Sequence, residues 1–325
     1  MTPNAKGALI ALAAFGVFAT HDVVVKVLGG IYSPVQIVFF SVLLSFPLAT
    51  LTLMRDNKPS TLVPIHPWWM LTRAVATVMT GFTAFYAFSV LPLAQVYTIL
   101  FASPLLITVL AIPVLGEKVR IRRWAAVIVG LIGVLVVLRP GSAELSIGHL
   151  AALLAAVGGS VASIIVRKIG SEERPVVMML YPMTLNFVVM AVALPFVYEP
   201  MPIEHLGMMG FIAVFAWIAS RMIIAAYQAG EAAIIAPMQY SQIIWATIFG
   251  YLFFDELIEM NTAFGAGIII ASGLYIVLRE SRSGASENTP VLRTRSRSET
   301  GIIPRISMLV RITGKTLPGQ KKGRG

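Results

Sequence analysis

The sequence predicts an all-α polytopic membrane protein whose ten transmembrane helices form two inverted five-helix repeats, with both termini in the cytoplasm (N-in/C-in). Of its 325 residues, 57% are apolar and only 12% are charged, and the mean hydropathy is +0.83. Soluble domains carry about 25% charged residues. The apolar stretches approach the roughly 20 residues that a helix needs to cross the hydrocarbon, and they lack the alternating pattern of β-barrel strands.

The predicted helices follow one another along the chain. The first begins just after Lys6 and resembles a signal peptide, but the run is long enough to span and nine more follow, so we expect an uncleaved first helix. The ten ranges are 7–27, 34–54, 69–90, 94–115, 122–138, 149–167, 175–197, 207–228, 232–253 and 262–278. Small residues that permit close helix packing are Gly130, Gly133, Gly158, Gly159, Gly265, Gly267 and Gly273.

The charges of the loops predict the topology, because short loops rich in Lys and Arg stay in the cytoplasm. With the N-terminus inside, the basic residues of the cytoplasmic loops are Arg55, Lys58, Lys118, Arg120, Arg122, Arg123, Arg167, Lys168 and Arg174. The acids of the external loops are Glu144, Glu199, Glu204, Asp255, Glu256 and Glu259, with Arg139 and Lys26 as the basic exceptions.

The two halves of the chain are related by an internal repeat. The loop Gly116–Arg123 carries four basic residues, while Asp255–Asn261, 139 residues later, carries three acids and no Lys or Arg. Pairs that match at spacings of 139 to 141 residues include Glu117 and Glu256, Lys26 and Arg167, Pro34 and Pro175, and Gly133 and Gly273. Because each unit has an odd number of helices, the second unit must be inverted, an arrangement typical of secondary transporters.

The chain thus divides into a first repeat at 7–140, a second repeat at 148–279 and a basic tail at 280–325. The tail holds ten Lys and Arg against three Glu, which is +7 of the net charge of +10. We expect it to be cytoplasmic, disordered and attracted to anionic lipid headgroups. The alternating Arg and Ser at 293–298 leave nucleic-acid binding as an alternative, but a solvated tail with no nucleic-acid partner is favoured.

Several segments resemble a known family. Phe85–Ala94, Pro104, Leu115–Glu117, Gly133 and Leu138–Gly141 resemble the EamA-type module of the drug/metabolite transporter superfamily. Ala236, Pro237, Tyr240, Phe254–Glu256, Leu278 and Arg279 resemble a second copy. Asp22–Gly29 and Ala236–Trp245 are similar to the branch that contains S-adenosylmethionine and riboflavin transporters. Amino-acid exporters of the superfamily are further possible relatives.

Ionisable residues at membrane depth are functional candidates by default, since each costs about 2.5–3.5 kcal/mol on insertion scales. The first helix holds His21, Asp22 and Lys26. Asp22 is a candidate for substrate binding, and His21 and Asp22 are candidates for proton coupling. Asp22 and Lys26 share a helix face and can pair. The alternative is therefore that Lys26 reaches the outer headgroups and Asp22 only neutralises it.

Two arginines lie inside predicted helices. Arg221 is about 20 Å from the external end of the eighth helix, at 1.5 Å per residue. It either anchors a carboxylate or phosphate of the solute with its planar guanidinium or extends to the cytoplasmic surface. Arg73, beside Trp68 and Trp69, is expected to be an interfacial anchor.

Aromatic and amide side chains supply the remaining candidates for substrate binding. They are Tyr86, Tyr97, Asn186, Gln239, Tyr240, Gln242 and Trp245. Each aromatic residue alone is more simply explained by lipid contact or helix packing. As a set, they predict a cavity for a polar organic solute near the midplane, at the interface between the repeats.

We therefore expect a secondary transporter that moves a small organic metabolite across the cytoplasmic (inner) membrane by alternating access. The solute is predicted to be an amino acid, S-adenosylmethionine or a riboflavin-like compound. Alternatives are an intramembrane enzyme, a flippase of a lipid-linked substrate, or a channel. With no Cys, no His-Glu-x-x-His and no Gly-x-Ser-x-Gly, we expect no catalytic residues, metal or cofactor. The expected partners are the solute and membrane lipids. The sequence leaves open whether two copies form a homodimer.

Overall fold

The computed structural model describes residues 3–54, 62–116, 121–139, 145–170, 172–229 and 235–282. These residues are helical apart from the connections, and the helices follow the predicted order, with α4 and α5 together in the place of the fourth predicted helix. The helices are α1 (Pro3–Gly29), α2 (Pro34–Met54), α3 (Pro67–Val90), α4 (Leu93–Leu100), α5 (Ser103–Leu115), α6 (Ile121–Leu138), α7 (Ile147–Ile169), α8 (Pro175–Ala193), α9 (Ile203–Ala229), α10 (Gln242–Phe254) and α11 (Met260–Arg282). Arg55, Lys58, Glu117, Lys118, Arg120, Glu144 and the tail from residue 283 lie outside the described residues.

Within the described ranges, six stretches are long and apolar enough to cross a membrane. They are Ala5–Gly29, Pro34–Leu51, Leu93–Leu115, Ile147–Ile169, Val176–Phe196 and Ile203–Ala226. Two shorter apolar helices cover Trp124–Leu138 and Met260–Ile276. The chain is an all-helical membrane protein.

The fourth and ninth predicted helices are interrupted. The fourth was expected to run continuously over 94–115, but it consists of α4 and α5 with a break at Phe101 and Ala102. Pro104 causes this break, because a proline has no N–H to donate to the carbonyl four residues earlier. The ninth opens with a 3-10 helix, Ala236–Ser241, which contains Pro237 and precedes α10.

The two interrupted helices also end alike. Gly116 follows α5 with φ = 69°, and Asp255 follows α10 with φ = 54°. Both residues adopt the left-handed conformation that terminates helices, which is free of strain for glycine and tolerable for aspartate. These equivalent positions, 139 residues apart, therefore share a backbone conformation although their residues differ.

The halves of the chain pack against each other through pairs of helices. α1 lies along α9, α3 lies along α7, and α6 lies along α11. Glycines allow close approach in two of these pairs: a Cβ added to Gly265 would lie 2.7 Å from the Gly133 carbonyl, and one added to Gly158 would lie 2.5 Å from Thr80 Oγ1. At Gly267, in contrast, no atom of another described segment lies within 4 Å of an added Cβ, so the expected close packing is not found there among the described residues.

Loop contacts define two ends of the bundle. At the first, which we call the Lys26 end, Lys26 Nζ lies 2.5 Å from Glu256 Oε1, and Arg139 Nη2 lies 2.8 Å from Glu259 Oε2. At the second, the His66 end, His66 Nε2 lies 2.6 Å from Glu172 Oε2, and Lys168 Nζ donates to the Val114 carbonyl at 2.9 Å. Helix α3 runs from one end to the other.

Candidate functional site

A buried polar cluster joins α1 to α4. His21 and Asp22 are 2% and 1% exposed, and His21 Nδ1 lies 2.7 Å from Asp22 Oδ1. The hydroxyl of Tyr97, which is also fully buried, donates a short hydrogen bond to Asp22 Oδ2. Both carboxylate oxygens therefore have polar partners, which offsets the cost of burying the acid. Two predicted candidates, Asp22 and Tyr97, are brought into direct contact.

Lys26 is paired with a different acid from the one considered in the sequence. Its Nζ contacts Glu256 Oε1 at 2.5 Å and donates to the Leu91 carbonyl at 2.6 Å, while Glu256 Oε2 accepts from the Leu93 amide at 3.0 Å. We call these contacts of Lys26, Leu91, Leu93 and Glu256 the latch. The interpretation that Asp22 neutralises Lys26 is wrong, because the α3–α4 connection brings Lys26 to Glu256.

A small cavity of about 20 Å³ lies beside His21. It is bounded by α1, α2, α3, α8 and α9, so both halves of the chain contribute to its walls. Two predicted candidates, His21 and Asn186, line it. Sequence analysis did not identify the other lining residues, which are Val38, Ser41, Val42, Gly81, Phe85, Ile212, Ala213 and Ala216. A lone serine or glycine in an apolar helix gives no signal of this kind.

Aromatic rings connect the two interrupted helices. The ring centroids of Tyr97 and Phe101 lie 6.3 Å apart, and those of Phe101 and Tyr240 lie 5.1 Å apart in an edge-to-face arrangement. Tyr240 is 6% exposed and its ring packs directly on Gly273 of α11. Tyr97 and Tyr240 are thus linked through Phe101, close to the break in each helix.

The other predicted site residues lie elsewhere. Trp245 packs on α1, 3.2 Å from the position of a Cβ added to Gly16, and Gln242 is buried with an unpaired Nε2. Arg221 is exposed and lies over the Trp217 ring at 5.5 Å. Tyr86 and Gln239 are half-buried. None of these five contributes to the described walls of the cavity.

Arg73 was expected at the interface, but it is only 5% exposed and lies between α3 and α8. Its Nη1 donates to the Met178 carbonyl at 2.5 Å. Pro182, four residues after Met178, has no N–H to offer that carbonyl. The expectation of an interfacial anchor is wrong, and a proline four residues after an interior carbonyl is the sequence signal that could have suggested a buried donor.

Comparison with known proteins identifies relatives of this chain. Residues 5–139 and 146–278 each match the model of the EamA-like transporter family. An S-adenosylmethionine uptake transporter of Rickettsia bellii is 26% identical over 82% of this chain and 91% of its own length. A riboflavin transporter of Rhizobium johnstonii is 27% identical over 67% of this chain and 72% of its own length. A crystal structure with 19% identity covers 84% of this chain and 98% of its own at a TM-score of 0.55, which supports the fold alone.

Proposed function

Because this chain belongs to the EamA-like transporter family, we propose that it is a secondary transporter that moves its solute across the cytoplasmic (inner) membrane by alternating access. It is a multi-pass membrane transporter of small metabolites and not an enzyme. The candidate solutes are an amino acid, S-adenosylmethionine and a riboflavin-like compound. The relatives named as S-adenosylmethionine and riboflavin transporters favour the last two.

The proposed topology is N-in/C-in, with inverted repeats at 7–140 and 148–279 and a cytoplasmic tail at 280–325. Its support is an unequal distribution of charges between the two ends of the bundle. Lys168 and Arg174 are near the His66 end, where Glu172 is the acid that pairs with His66, while Glu256 and Glu259 are at the Lys26 end, where they pair with Lys26 and Arg139. Reporter fusions in the loops 116–123 and 255–261 test the proposal. The two loops should report opposite compartments, and the same compartment for both would contradict the inverted arrangement.

One observation carries the proposed transport site: the cavity is formed by helices of both halves and adjoins the buried His21, Asp22 and Tyr97. Substrate sites of inverted-repeat transporters lie near the midplane, between the repeats and beside interrupted helices. We propose that Asp22, Tyr97 and Asn186 contribute to this site. Tyr86, Arg221, Gln239, Tyr240, Gln242 and Trp245 are proposed to contact the solute along its path.

Unequal packing of repeat-related helices supports alternating access. Helices α1 and α3 correspond to α7 and α9 in the second repeat. α1 and α3 meet at the Lys26 end, where Gly29 packs against the Ser89 side chain. α7 and α9 make at most marginal contact over the described residues. This difference favours a state closed at the Lys26 end and open toward the His66 end.

Counterflow into proteoliposomes tests the proposed function. The purified protein should accumulate labelled solute against a preload of the same unlabelled solute, and the initial rate should saturate. S-adenosylmethionine, riboflavin and an amino-acid mixture are the solutes to assay. Liposomes without protein are the control, and linear, non-saturable flux without counterflow would contradict a carrier. Cross-linking in native membranes would separately test whether two copies associate.

A further inference from the structure

Two buried polar side chains, Asn186 on α8 and Ser41 on α2, line the small cavity beside His21. They are 2% and 6% exposed. Among the described residues, no protein group forms a hydrogen bond with Asn186 Oδ1 or Ser41 Oγ. A buried polar atom without a partner is costly and uncommon in folded proteins. The two atoms therefore mark a place for a polar group that is not part of the chain.

Ser41 differs from other buried hydroxyl groups of the described helices. Six of these donate to the carbonyl four residues earlier at 2.6–3.0 Å, namely those of Ser45, Thr77, Thr80, Thr98, Thr108 and Ser160. This bond is a common way to satisfy a hydroxyl inside an apolar helix. The hydroxyl of Ser41 does not make it, so it can donate to a molecule in the cavity.

The size of the cavity restricts which molecule this can be. The volume is about 20 Å³, and a buried water needs a space of about 10–15 Å³ with two to four polar partners. Gly81 has no side chain to fill this space, and even a Cβ added there would lie 3.5 Å from Asn186 Nδ2. The cavity has room for a single water and for none of the candidate solutes, so a solute can enter only after the surrounding helices separate.

The lining of the cavity favours water over an ion. Among its described lining residues, none is Asp, Glu, Lys or Arg, and His21 is the one titratable side chain. Burying an ion without an opposite charge is strongly unfavourable. Water both donates and accepts hydrogen bonds, which suits the amide oxygen of Asn186, an acceptor only, and the hydroxyl of Ser41, which can donate.

His21 connects the cavity to the buried acid. The ring of His21 lines the cavity, while its Nδ1 lies 2.7 Å from Asp22 Oδ1. Asp22 is not among the described lining residues, and the hydroxyl of Tyr97 donates to its other oxygen. On the same helix, Lys26 is paired with Glu256. A proton can therefore pass between the cavity and Asp22 through the imidazole, which accepts at one nitrogen and donates from the other.

We infer that the cavity binds one water molecule and that this water delivers protons to Asp22 through His21. The water accepts a hydrogen bond from Ser41, donates one to Asn186 Oδ1 and donates the other to His21 Nε2. A proton that arrives on the water passes to Nε2, and the proton on Nδ1 passes to the Asp22 carboxylate. The ring stays neutral and the water is restored. This proton relay rests on the proposed function, whereas the bound water does not.

Solid-state NMR of the full chain in lipid bilayers tests the bound water. The ring nitrogens of histidine are isotope-labelled, and His21→Gln identifies the His21 signal among the four histidines. Polarisation from water protons should reach His21 although this residue is only 2% exposed. Ser41→Val removes the hydroxyl and places a methyl group in the space of the water, so the transfer should fall several-fold. Transfer that is absent in the wild type, or unchanged in Ser41→Val, would overturn the water.

Ser45→Ala is the matched control for helix α2. Ser45 is 0% exposed and donates to the Ser41 carbonyl at 2.7 Å, but it is not among the described lining residues. Its substitution should leave the transfer from water to His21 unchanged. A fall as large as that of Ser41→Val would assign the effect to the helix and would overturn the role of Ser41.

Thermal unfolding of Asn186→Leu distinguishes a bound water from an amide oxygen that is truly unpaired. If the water bonds both side chains, Leu removes the water and leaves Ser41 unpaired, so Tm should fall. If the oxygen is unpaired, an apolar side chain of similar volume removes its cost and Tm should rise, which would overturn the water. Adding Ser41→Ala to Asn186→Leu should lower Tm little further, because the shared water is already lost, while adding Ser45→Ala should have its full separate effect.

The proton relay is tested by the ratio of initial transport rates with and without a pH gradient in proteoliposomes. This ratio is insensitive to a general loss of transport. It should fall to near unity in His21→Gln, which cannot pass a proton, and in Ser41→Val. A ratio that stays at the wild-type value in His21→Gln would overturn the relay.

The relay and the proposed function can fail separately. If the wild type shows counterflow but no response to the gradient, the relay is wrong and the transport function stands. If none of the assayed solutes shows counterflow, the proposed function and the relay are both wrong. The bound water is decided by the NMR and unfolding measurements in either case.

Discussion

At the residue scale, Arg73 shows how a permanent charge is kept inside an apolar bundle. Its guanidinium donates to the Met178 carbonyl, and Pro182 removes the backbone donor that this carbonyl would otherwise have. The arginine thus supplies the hydrogen bond that the proline removes. The sequence contains both residues, but Trp68 and Trp69 made an interfacial position the simpler expectation. Only the packing of α3 against α8 brings the arginine to the carbonyl.

The paired roles of Arg73 and Pro182 give a stability prediction. Arg73→Met fills a similar volume but leaves the carbonyl unpaired, so the free energy of unfolding should fall by about 1–3 kcal/mol. Adding Pro182→Ala restores a backbone N–H and should recover most of this loss. Thermal unfolding of the wild type, both single variants and the double variant in detergent measures the effect. If the double variant is no more stable than Arg73→Met, the hydrogen bond to the Met178 carbonyl is not the reason why Arg73 stabilises the fold.

Asp22 gives a prediction about energy coupling. Asp22→Asn keeps an acceptor for Tyr97 but cannot exchange a proton, so a pH gradient should no longer accelerate transport, while exchange of solute continues. Initial rates in proteoliposomes with and without an imposed gradient measure this. Glu259→Gln, which removes an exposed acid paired with Arg139 and leaves Asp22 and Tyr97 intact, is the control and should retain dependence on the gradient. If Asp22→Asn also retains it, Asp22 is a structural residue.

At the scale of elements, the number, order and approximate limits of the helices followed from hydropathy. The two interruptions were not predicted from hydropathy, although the sequence contains Pro104 and Pro237 at these places. A hydropathy profile measures the cost of removing side chains from water, and this cost hardly changes when a backbone hydrogen bond is lost. The matching left-handed residues Gly116 and Asp255 were likewise invisible, since a pattern of residue types does not report φ.

The break between α4 and α5 is testable by removing its cause. Pro104→Ala offers the Leu100 carbonyl a backbone donor and should favour a continuous helix. We expect Tm to rise slightly or stay constant while the rate of counterflow falls several-fold, because sites that need irregular backbone lose activity when they are regularised. Pro113→Ala, also in α5 but away from the break, is the control. Equal effects of the two substitutions would contradict a special role for the break.

At the scale of the whole molecule, the sequence predicted related halves but not the contacts between them. Lys26 and Glu256 each matched a residue in the other repeat, yet nothing in the spacing indicated that they meet. The cavity was expected at the boundary between the repeats, and His21 and Asn186 line it. Ser41 and Gly81 were missed, because their role depends on how α2, α3 and α8 converge.

With the proposed topology, in which the Lys26 end faces outward, the latch gives a prediction about access from outside. Glu256→Gln weakens the contacts with Lys26 and Leu93, so the Lys26 end should open more often. Since the chain has no cysteine, Ser41→Cys supplies a single thiol in the cavity. A membrane-impermeant thiol reagent added outside intact cells should label it several-fold faster when Glu256→Gln is also present. Glu259→Gln, which removes the exposed pair with Arg139 at the same end, should leave the labelling rate unchanged, and equal acceleration would contradict the latch.

Helix α4 holds the latch and the buried acid on a single short element. It has eight residues and is therefore about 12 Å long; Leu93 at its start is bound by Glu256, and Tyr97, four residues on, is bound to Asp22. A helix this short moves as a rigid body. If Asp22 takes up a proton, its hydrogen bond with Tyr97 weakens, and less free energy is then needed to separate Leu93 from Glu256. By thermodynamic reciprocity, separation of Leu93 from Glu256 favours protonation of Asp22. Binding of a proton and transport of the solute can then depend on each other without direct contact between the two.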